Sequence, residues 1–525
     1  QQEKISEFGL NTWYVLELLD EYQKDPGSVS DNWKTLFKEL ELNKNDKKLS
    51  TETKPVSGNG YSRAQINIPQ PVGDEQPEVI RGVGAKIIEN MNASLTIPTA
   101  TTFRTIPVKV LEENRRLINE YLKKKNGRKV SFTHIIGWAI IKGINSVPVM
   151  NNAYTVINGE PNVIKKPDVN LGLAVDLEKK DGSRSLIVPN IKKANLMNFG
   201  EYFDSYDEII KKARSNKIEV SDFQGTTISL TNPGTLGTVA STPRLMLGQG
   251  AIIATGAIDY PAEYQAVTNE IITTIGISKV MNITSTYDHR IIQGAESGVF
   301  LQKLSGLLKG DDNFYEEIFE GLQIPMTPVK WFLDKNADDL GKIDNLEEIE
   351  KQAKAIQLIN MFRVRGHLLA NLDPLESKAQ YHPELDPSKY GFTVWDYDRE
   401  FITDGLAGKR TATLREILNI LYQTYCDKIG VEYKHIQDPE KKRWLEGQME
   451  MNMNMPSFTV EEKKHILFKL SEAENFERFI DKRYVGHKRF SLEGSETIIP
   501  LLDFLLNCAS ESSVHELVMG MAHRG

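Results

Sequence analysis

Residues 227–258 read TISLTNPGTLGTVASTPRLMLGQGAIIATGAI. An apolar run rich in branched residues lies at each end, and the segment between them is rich in Gly, Pro and Thr. This pattern predicts two strands separated by a long turn. Similar apolar runs occur at 169–175 and 185–191, and residues 131–146 have the composition of a buried helix. Strands alternating with helices predict an α/β sandwich domain over residues 80–310.

The composition limits the classes of protein that the chain can represent. Its 525 residues exceed what one hydrophobic core supports, so we expect two or three domains. The formal charge of -8 provides no basic field for nucleic acid, and no apolar run approaches the length of a membrane span. The two cysteines, Cys426 and Cys508, form no CxxC motif, which indicates neither a disulfide framework nor a zinc site. A reducing, cytoplasmic location is therefore predicted.

Changes in composition divide the chain into five segments. Residues 1–42 carry two apolar stripes at helical spacing and are predicted to form a helical docking arm, because two short helices cannot bury their own apolar faces. Residues 43–79 have the composition of a flexible linker. The sandwich domain at 80–310 is followed by a second predicted linker at 311–335. Residues 336–525 are predicted to be mostly helical, and since the chain lacks an initiator methionine and stops at MGMAHRG, we expect part of a longer protein.

A second stretch, TYDHRIIQG at 286–294, resembles the DHRxxxG signature of the dihydrolipoamide acyltransferases. Residues 227–258 are similar to another active-site segment of that family, as is IPTATTFRTIPV at 97–108. The resemblance implies a chloramphenicol-acetyltransferase-like two-layer sandwich. It also favours a catalytic role for the histidine, although a single histidine beside apolar residues is more often structural.

The resemblance assigns chemistry to His289 and Thr231. His289 would remove the thiol proton of coenzyme A, so that the thiolate attacks the thioester of an acyl-dihydrolipoamide. Thr231 would donate its hydroxyl hydrogen to the tetrahedral oxyanion. In the family, the site forms between neighbouring subunits of a trimer.

Four further residues support this predicted site. Asp288 and Arg290 are predicted to pair and hold the loop, and Gly294 to permit a tight backbone. Gln293 departs from the family, which carries an aspartate four residues after the histidine, and a neutral amide cannot stabilise an imidazolium as a carboxylate would.

The remaining sequence resembles the thiamine-dependent component of 2-oxoglutarate dehydrogenase. The similar segments include residues 14–37, AIQLINMFRVRGHLLANLDPL at 355–375, HKRFSLEGSETIIPLLD at 487–503 and MGMAHRG at 519–525. This order is that of the actinobacterial family in which the thiamine component and the dihydrolipoamide succinyltransferase are fused. The resemblance implies that His523 and Arg524 contact the thiamine adduct or the 2-oxo acid in the full-length protein. Thiamine diphosphate and magnesium would be held by later segments, and no metal site is predicted in this chain.

Two functions from different classes stay open. The first is an enzyme of the 2-oxoglutarate dehydrogenase system that transfers a succinyl group from dihydrolipoamide to coenzyme A and, at full length, decarboxylates 2-oxoglutarate. The second is a non-catalytic trimerising scaffold that binds an acyl-coenzyme A as an effector. Thr231 and His289 favour the enzyme, whereas Gln293 and the lack of a lipoyl-type segment favour the scaffold. The resemblance implies a lipoyl-bearing acyltransferase protein and dihydrolipoamide dehydrogenase as partners.

Overall fold

The computed structural model describes residues 12–42, 76, 79, 83–125, 127–178, 184–215, 217–332, 345–373, 381–488 and 491–520. The chain divides into two compact units, residues 1–437 and 438–525. No helix in these described ranges is long and apolar enough to cross a membrane.

The strands described in the first unit are β1 (Thr99–Pro107), β2 (Ala153–Ile157), β3 (Glu160–Ile164), β4 (Leu171–Leu173), β5 (Val175–Glu178), β6 (Arg184–Ile187), β7 (Asn190–Ile191), β8 (Ile228–Thr231), β9 (Ala251–Thr255), β10 (Val280–Asp288), β11 (Glu400–Ile402) and β12 (Thr411–Thr413). Six of them form a mixed sheet with the strand order β1-β10-β9-β8-β4-β7. Strands β4, β8 and β9 run parallel, and β10 pairs antiparallel with both β9 and β1. Two hairpins, β2–β3 and β5–β6, lie outside this sheet.

The helices described in the first unit form the second layer of the sheet domain, an N-terminal arm and a later module. They are α1 (Thr12–Lys24), α2 (Asp31–Leu42), α3 (Val83–Ser94), α4 (Lys109–Lys125), α5 (Phe132–Ser146), α6 (Phe199–Arg214), α7 (Val220–Phe223), α8 (Asn269–Thr274), α9 (Gly294–Lys309), α10 (Phe314–Gly321), α11 (Asn345–Arg365) and α12 (Leu414–Tyr425). Helix α9 packs on β1, β10 and α5, and α5 packs on α6. The predicted two-layer α/β sandwich is therefore confirmed.

Small and polar side chains bring this helix layer close to the sheet. The Ser297 hydroxyl of α9 donates to Ser285 of β10 at 3.0 Å and lies 2.6 Å from the hydroxyl of Thr102 in β1. Gly143 of α5 faces α9 so closely that a β-carbon would lie 2.5 Å from Leu304 Cδ1. A larger residue at this position would push the two helices apart.

The arm formed by α1 and α2 docks on the sheet domain through aromatic side chains. The Trp33 indole N–H donates to the Ile218 carbonyl at 3.0 Å, and the Tyr14 ring lies 5.5 Å from that of Phe223. Trp33 and Phe37 are fully buried and stack with ring centroids 5.6 Å apart. The arm thus buries its apolar stripe on the domain that follows it in sequence.

Of the segment predicted as a linker at 311–335, the described residues 311–332 are part of the packed structure and differ from that prediction. They include α10, whose Phe314 and Phe319 are buried, and Val329 exchanges two hydrogen bonds with the side chain of Asn114 at 2.7 and 2.8 Å. The aromatic content of 314–319 provides the apolar surface that makes packing favourable. The other predicted boundaries stay predictions, and most of the 43–79 linker lies outside the described residues.

Ion pairs join α4 to the module formed by α11, α12, β11 and β12. The buried carboxylate of Glu113 pairs with Arg415, which also contacts Asp398 at 2.6 Å. Lys109 pairs with Asp398 from the other side. Buried charges are tolerated only when they are paired, so this network fixes the module against the sheet domain.

The described residues of the second unit form the helices α13 (Pro439–Asn452), α14 (Val460–Arg483) and α15 (Ile498–Glu511). Helices α14 and α15 contact each other, and the His465 imidazole bonds Asp503 at 2.7 Å. No residue of α14 is buried within the described part of this unit.

Candidate active site

His289 lies directly after β10, where the strand leaves the sheet. Its backbone N–H donates to the Pro98 carbonyl at 2.9 Å, which ties the residue to the start of β1. The imidazole is exposed and packs edge-on against the Tyr287 ring, with centroids 5.7 Å apart. Within the described part of the chain, the imidazole nitrogens have no hydrogen-bond partner. A histidine with this exposure can bind and deprotonate a ligand, unlike one that is held inside a core.

Asp288 and Arg290 form the predicted pair and hold the loop around His289. The Arg290 guanidinium donates to both carboxylate oxygens of Asp288, at 2.9 and 2.7 Å. This hydrogen bond to the buried carboxylate raises the pKa of Arg290. The guanidinium carbon also lies 3.7 Å from the ring centroid of Tyr154 on the β2–β3 hairpin. Tyr154 was not singled out in the sequence, where it lies far from His289.

Gln293 and Gly294 form the start of α9. Gln293 is the N-cap residue, and its backbone N–H donates to the Glu296 carboxylate at 2.7 Å. Its side chain is exposed. A β-carbon at Gly294 would lie 3.4 Å from the Tyr287 hydroxyl, which is ordinary contact, so the predicted need for a tight backbone there is not supported.

Thr231 ends β8 and is half-buried. The chain then turns at Asn232, whose side-chain amide donates to the Thr133 hydroxyl at 3.1 Å. In the following turn, Gly234 approaches the next strand closely, because a β-carbon would lie 2.3 Å from the Gly256 backbone. This contact sets the path of the turn beside Thr231.

The strand register separates Thr231, at the end of β8, from His289 along the strand direction of the sheet. Thr231 pairs with Ala254 of β9, which pairs in turn with Thr284 of β10. His289 follows Thr284 by five positions, and an extended strand covers about 17 Å over that length. One copy of the chain therefore cannot bring the two side chains together on one substrate.

The predicted thiamine-contacting residues His523 and Arg524 lie outside the described residues. In the described ranges, no group of three or more His, Cys, Asp and Glu side chains could hold a metal ion.

Comparison with known proteins identifies the class of this domain. Residues 73–315 match the 2-oxoacid dehydrogenases acyltransferase (catalytic domain) family, and residues 7–43 match the 2-oxoglutarate dehydrogenase N-terminus family. The sheet domain is thus an acyltransferase catalytic domain of the 2-oxoacid dehydrogenase type.

The match to whole proteins extends over nearly the full chain. The multifunctional 2-oxoglutarate metabolism enzyme of Mycolicibacterium vanbaalenii is 44% identical over 99% of this chain and 45% of its own length. The 2-oxoglutarate dehydrogenase E1/E2 component of Corynebacterium glutamicum is 42% identical over 99% and 44%. The chain is similar to these fused 2-oxoglutarate dehydrogenase proteins over nearly all of its own length and spans less than half of theirs.

Among solved structures, the dihydrolipoamide acetyltransferase of Azotobacter vinelandii is 25% identical and covers 47% of this chain and 99% of its own, with a TM-score of 0.39.

Proposed function

We propose that the acyltransferase domain transfers a succinyl group from dihydrolipoamide to coenzyme A at a site shared by two neighbouring copies of the chain. The observation that carries this proposal is the position of the two candidate residues. His289 is exposed where β10 leaves the sheet, and Thr231 is half-buried at the far end of β8. Each is therefore available to a second copy, and a threefold ring would supply three such pairings.

In this reaction, His289 accepts the thiol proton of coenzyme A, and the thiolate attacks the thioester carbonyl of succinyl-dihydrolipoamide. The resulting oxyanion accepts a hydrogen bond from Thr231 of the neighbouring copy. When the tetrahedral intermediate collapses, the carbon–sulfur bond to dihydrolipoamide breaks, and His289 returns the proton to that sulfur. Succinyl-coenzyme A and dihydrolipoamide are the products, so atoms and charge balance.

The surrounding residues support this role for His289. The Asp288–Arg290 pair and Tyr154 fix the backbone on one side, and the hydrogen bond to Pro98 fixes it on the other. A preorganised base loses less entropy on reaching the reactive geometry. Gln293 supplies only an amide beside this loop, which favours a scaffold with weak or no transfer activity.

The assembly and the second activity are proposed for the longer fused protein. A lipoyl-bearing acyltransferase protein would deliver the succinyl group, and dihydrolipoamide dehydrogenase would reoxidise the lipoyl arm. The relatives named above are called 2-oxoglutarate metabolism or dehydrogenase proteins, which supports decarboxylation of 2-oxoglutarate with thiamine diphosphate and magnesium. His523 and Arg524 are the residues of this chain that would contact the thiamine adduct or the 2-oxo acid.

Replacing His289 tests the transfer reaction. His289→Ala should lower the rate from succinyl-dihydrolipoamide to coenzyme A by about 10²-fold or more, because the base is lost. His435→Ala, which changes another exposed histidine, is the matched control and should retain wild-type activity. A folded His289→Ala protein with wild-type turnover would refute the enzyme and leave the scaffold as the function of this domain.

A further inference from the structure

A side-chain hydrogen bond connects the residue after Thr231 to the start of α5. Asn232 Nδ2 donates to Thr133 Oγ1 at 3.1 Å, and both residues are partly buried. Thr133 is the second residue of α5, which begins at Phe132. Strand β8 ends at Thr231, so the hydrogen-bond ladder between β8 and β9 does not hold the chain beyond this residue. The Asn232–Thr133 bond is therefore a direct restraint on the chain where it leaves the strand.

The start of α5 is itself rigid. Ser131 is the N-cap, and its hydroxyl lies 2.6 Å from His134 Nδ1. The opposite ring nitrogen of His134 bonds Asp207 of α6 at 3.2 Å, and Asp207 accepts two hydrogen bonds from Arg128 at 2.8 and 3.2 Å. A helix terminus held on both sides gives Thr133 a fixed position.

Aromatic packing completes this support. The rings of His134 and Tyr206 lie 3.8 Å apart, and Phe203 packs edge-on at 5.1 Å. Burial raises the pKa of Tyr206 to about 12, against an opposing effect of the hydroxyl groups of Thr133 and Ser131. The Tyr206 hydroxyl therefore stays protonated at neutral pH. It lies next to the Thr133 hydroxyl, which accepts the hydrogen bond from Asn232.

We propose that Thr133 is a positioning residue for the acyl-transfer reaction, and that it acts through Asn232 to hold the Thr231 hydroxyl where the oxyanion forms. This inference rests on the proposed function. An oxyanion donor must lie within about 2.7–3.1 Å of the developing charge. A displacement of about 1 Å can cost up to 10²-fold in rate, so a restraint on the adjacent residue has a measurable effect.

The test is a double-mutant cycle in the 525-residue chain, assayed for transfer from succinyl-dihydrolipoamide to coenzyme A. Thr133→Val removes the acceptor with little change in volume and should lower kcat about tenfold, while KM for coenzyme A stays within about twofold. Thr133→Ser keeps the hydroxyl and should restore kcat to within about twofold of wild type. Asn232→Ala removes the donor from the other side and should match Thr133→Val.

Coupling to Thr231 separates positioning from a general loss of structure. Thr231→Ala alone should lower kcat by about 10²-fold. Adding Thr133→Val to Thr231→Ala should cause no further loss, since no hydroxyl remains to be positioned. Thr274→Val is the matched control, because the exposed Thr274 hydroxyl donates to the Glu270 carbonyl of the same helix, α8, at 2.8 Å, and it should have no effect.

The outcomes discriminate between the two proposals. A wild-type kcat for both Thr133→Val and Asn232→Ala would overturn the positioning role. The same conclusion would follow if the kcat losses of Thr133→Val and Thr231→Ala multiplied fully in the double variant. Either result would leave the proposed function in place. A wild-type kcat for Thr231→Ala would instead remove the oxyanion role on which both depend.

Discussion

His134 and His289 occupy opposite environments in the same domain. The His134 ring is buried, with Nε2 bonded to Asp207 and Nδ1 accepting the Ser131 backbone N–H at 3.0 Å. Because Nδ1 accepts, the neutral ring carries its proton on Nε2 and donates it to Asp207. His289, by contrast, is exposed to solvent. The buried ring can stabilise structure, whereas the exposed one can exchange a proton with a ligand.

Burial makes the contribution of His134 to stability depend on pH. Burial lowers its pKa, Arg128 lowers it further and Asp207 opposes both, while Tyr206 and Phe203 pack on the ring. Because the folded pKa lies below the unfolded value of 6.5, the unfolded chain binds the proton more readily. The contribution of neutral His134 to the free energy of unfolding should therefore be fully present above pH 6.5. This contribution should decrease as the pH falls below that value.

The variant His134→Gln isolates this effect, since Gln is a normal capping-box residue and does not titrate. Urea unfolding of the wild type and of His134→Gln, measured from neutral pH down to about pH 5, should give a smaller pH dependence for the variant. His435→Gln should keep the wild-type dependence. Equal slopes in wild type and His134→Gln would contradict this account of the buried ring.

At the scale of elements, the arm shows what sequence periodicity can predict. The spacing of Tyr14, Tyr22, Trp33 and Phe37 predicts two helices with buried stripes, and the structure confirms both helices. The docking position could not be predicted, because the Ile218 carbonyl that accepts the Trp33 N–H is 185 residues away. Periodicity reports which face is apolar and carries no information about its partner.

Trp33 should control whether the arm is docked. Trp33→Ala removes a fully buried side chain and its hydrogen bond, and such changes cost about 3–5 kcal/mol. A two-helix arm has little other apolar surface to offset this loss. Amide hydrogens of residues 12–42 should therefore exchange faster in Trp33→Ala, with β8–β10 unaffected.

Lys34→Ala, which removes an exposed pair with Asp31, provides the control in the same helix and should leave exchange unchanged. Unchanged protection of residues 12–42 in Trp33→Ala would show that the contact with Ile218 does not hold the arm.

At the scale of the whole molecule, the sequence predicted features formed by residues close together in the chain. It did not predict contacts between residues that are far apart in the chain. The α/β sandwich and the Asp288–Arg290 pair follow from contiguous patterns, and both are observed. The Asn232–Thr133 bond spans 99 residues and the Glu113–Arg415 pair spans 302, so neither leaves a local signal. The same limit applies to residues 311–332, where Val329 accepts a hydrogen bond from Asn114, 215 residues away.

The separation of Thr231 and His289 within one copy leads to the central claim that active sites form between copies. His289→Ala and Thr231→Ala are each expected to be nearly inactive. A trimer that contains both variants nevertheless has one interface at which an intact His289 meets an intact Thr231 of the neighbour.

The direct measurement is therefore the acyl-transfer rate of mixed oligomers. The two variants carry different affinity tags, are produced together, and are purified through both tags so that every oligomer contains both chains. We predict that these mixed oligomers recover about one-third of the wild-type rate per site, far above either parent. Mixed oligomers as inactive as both parents would contradict a site shared between neighbouring copies.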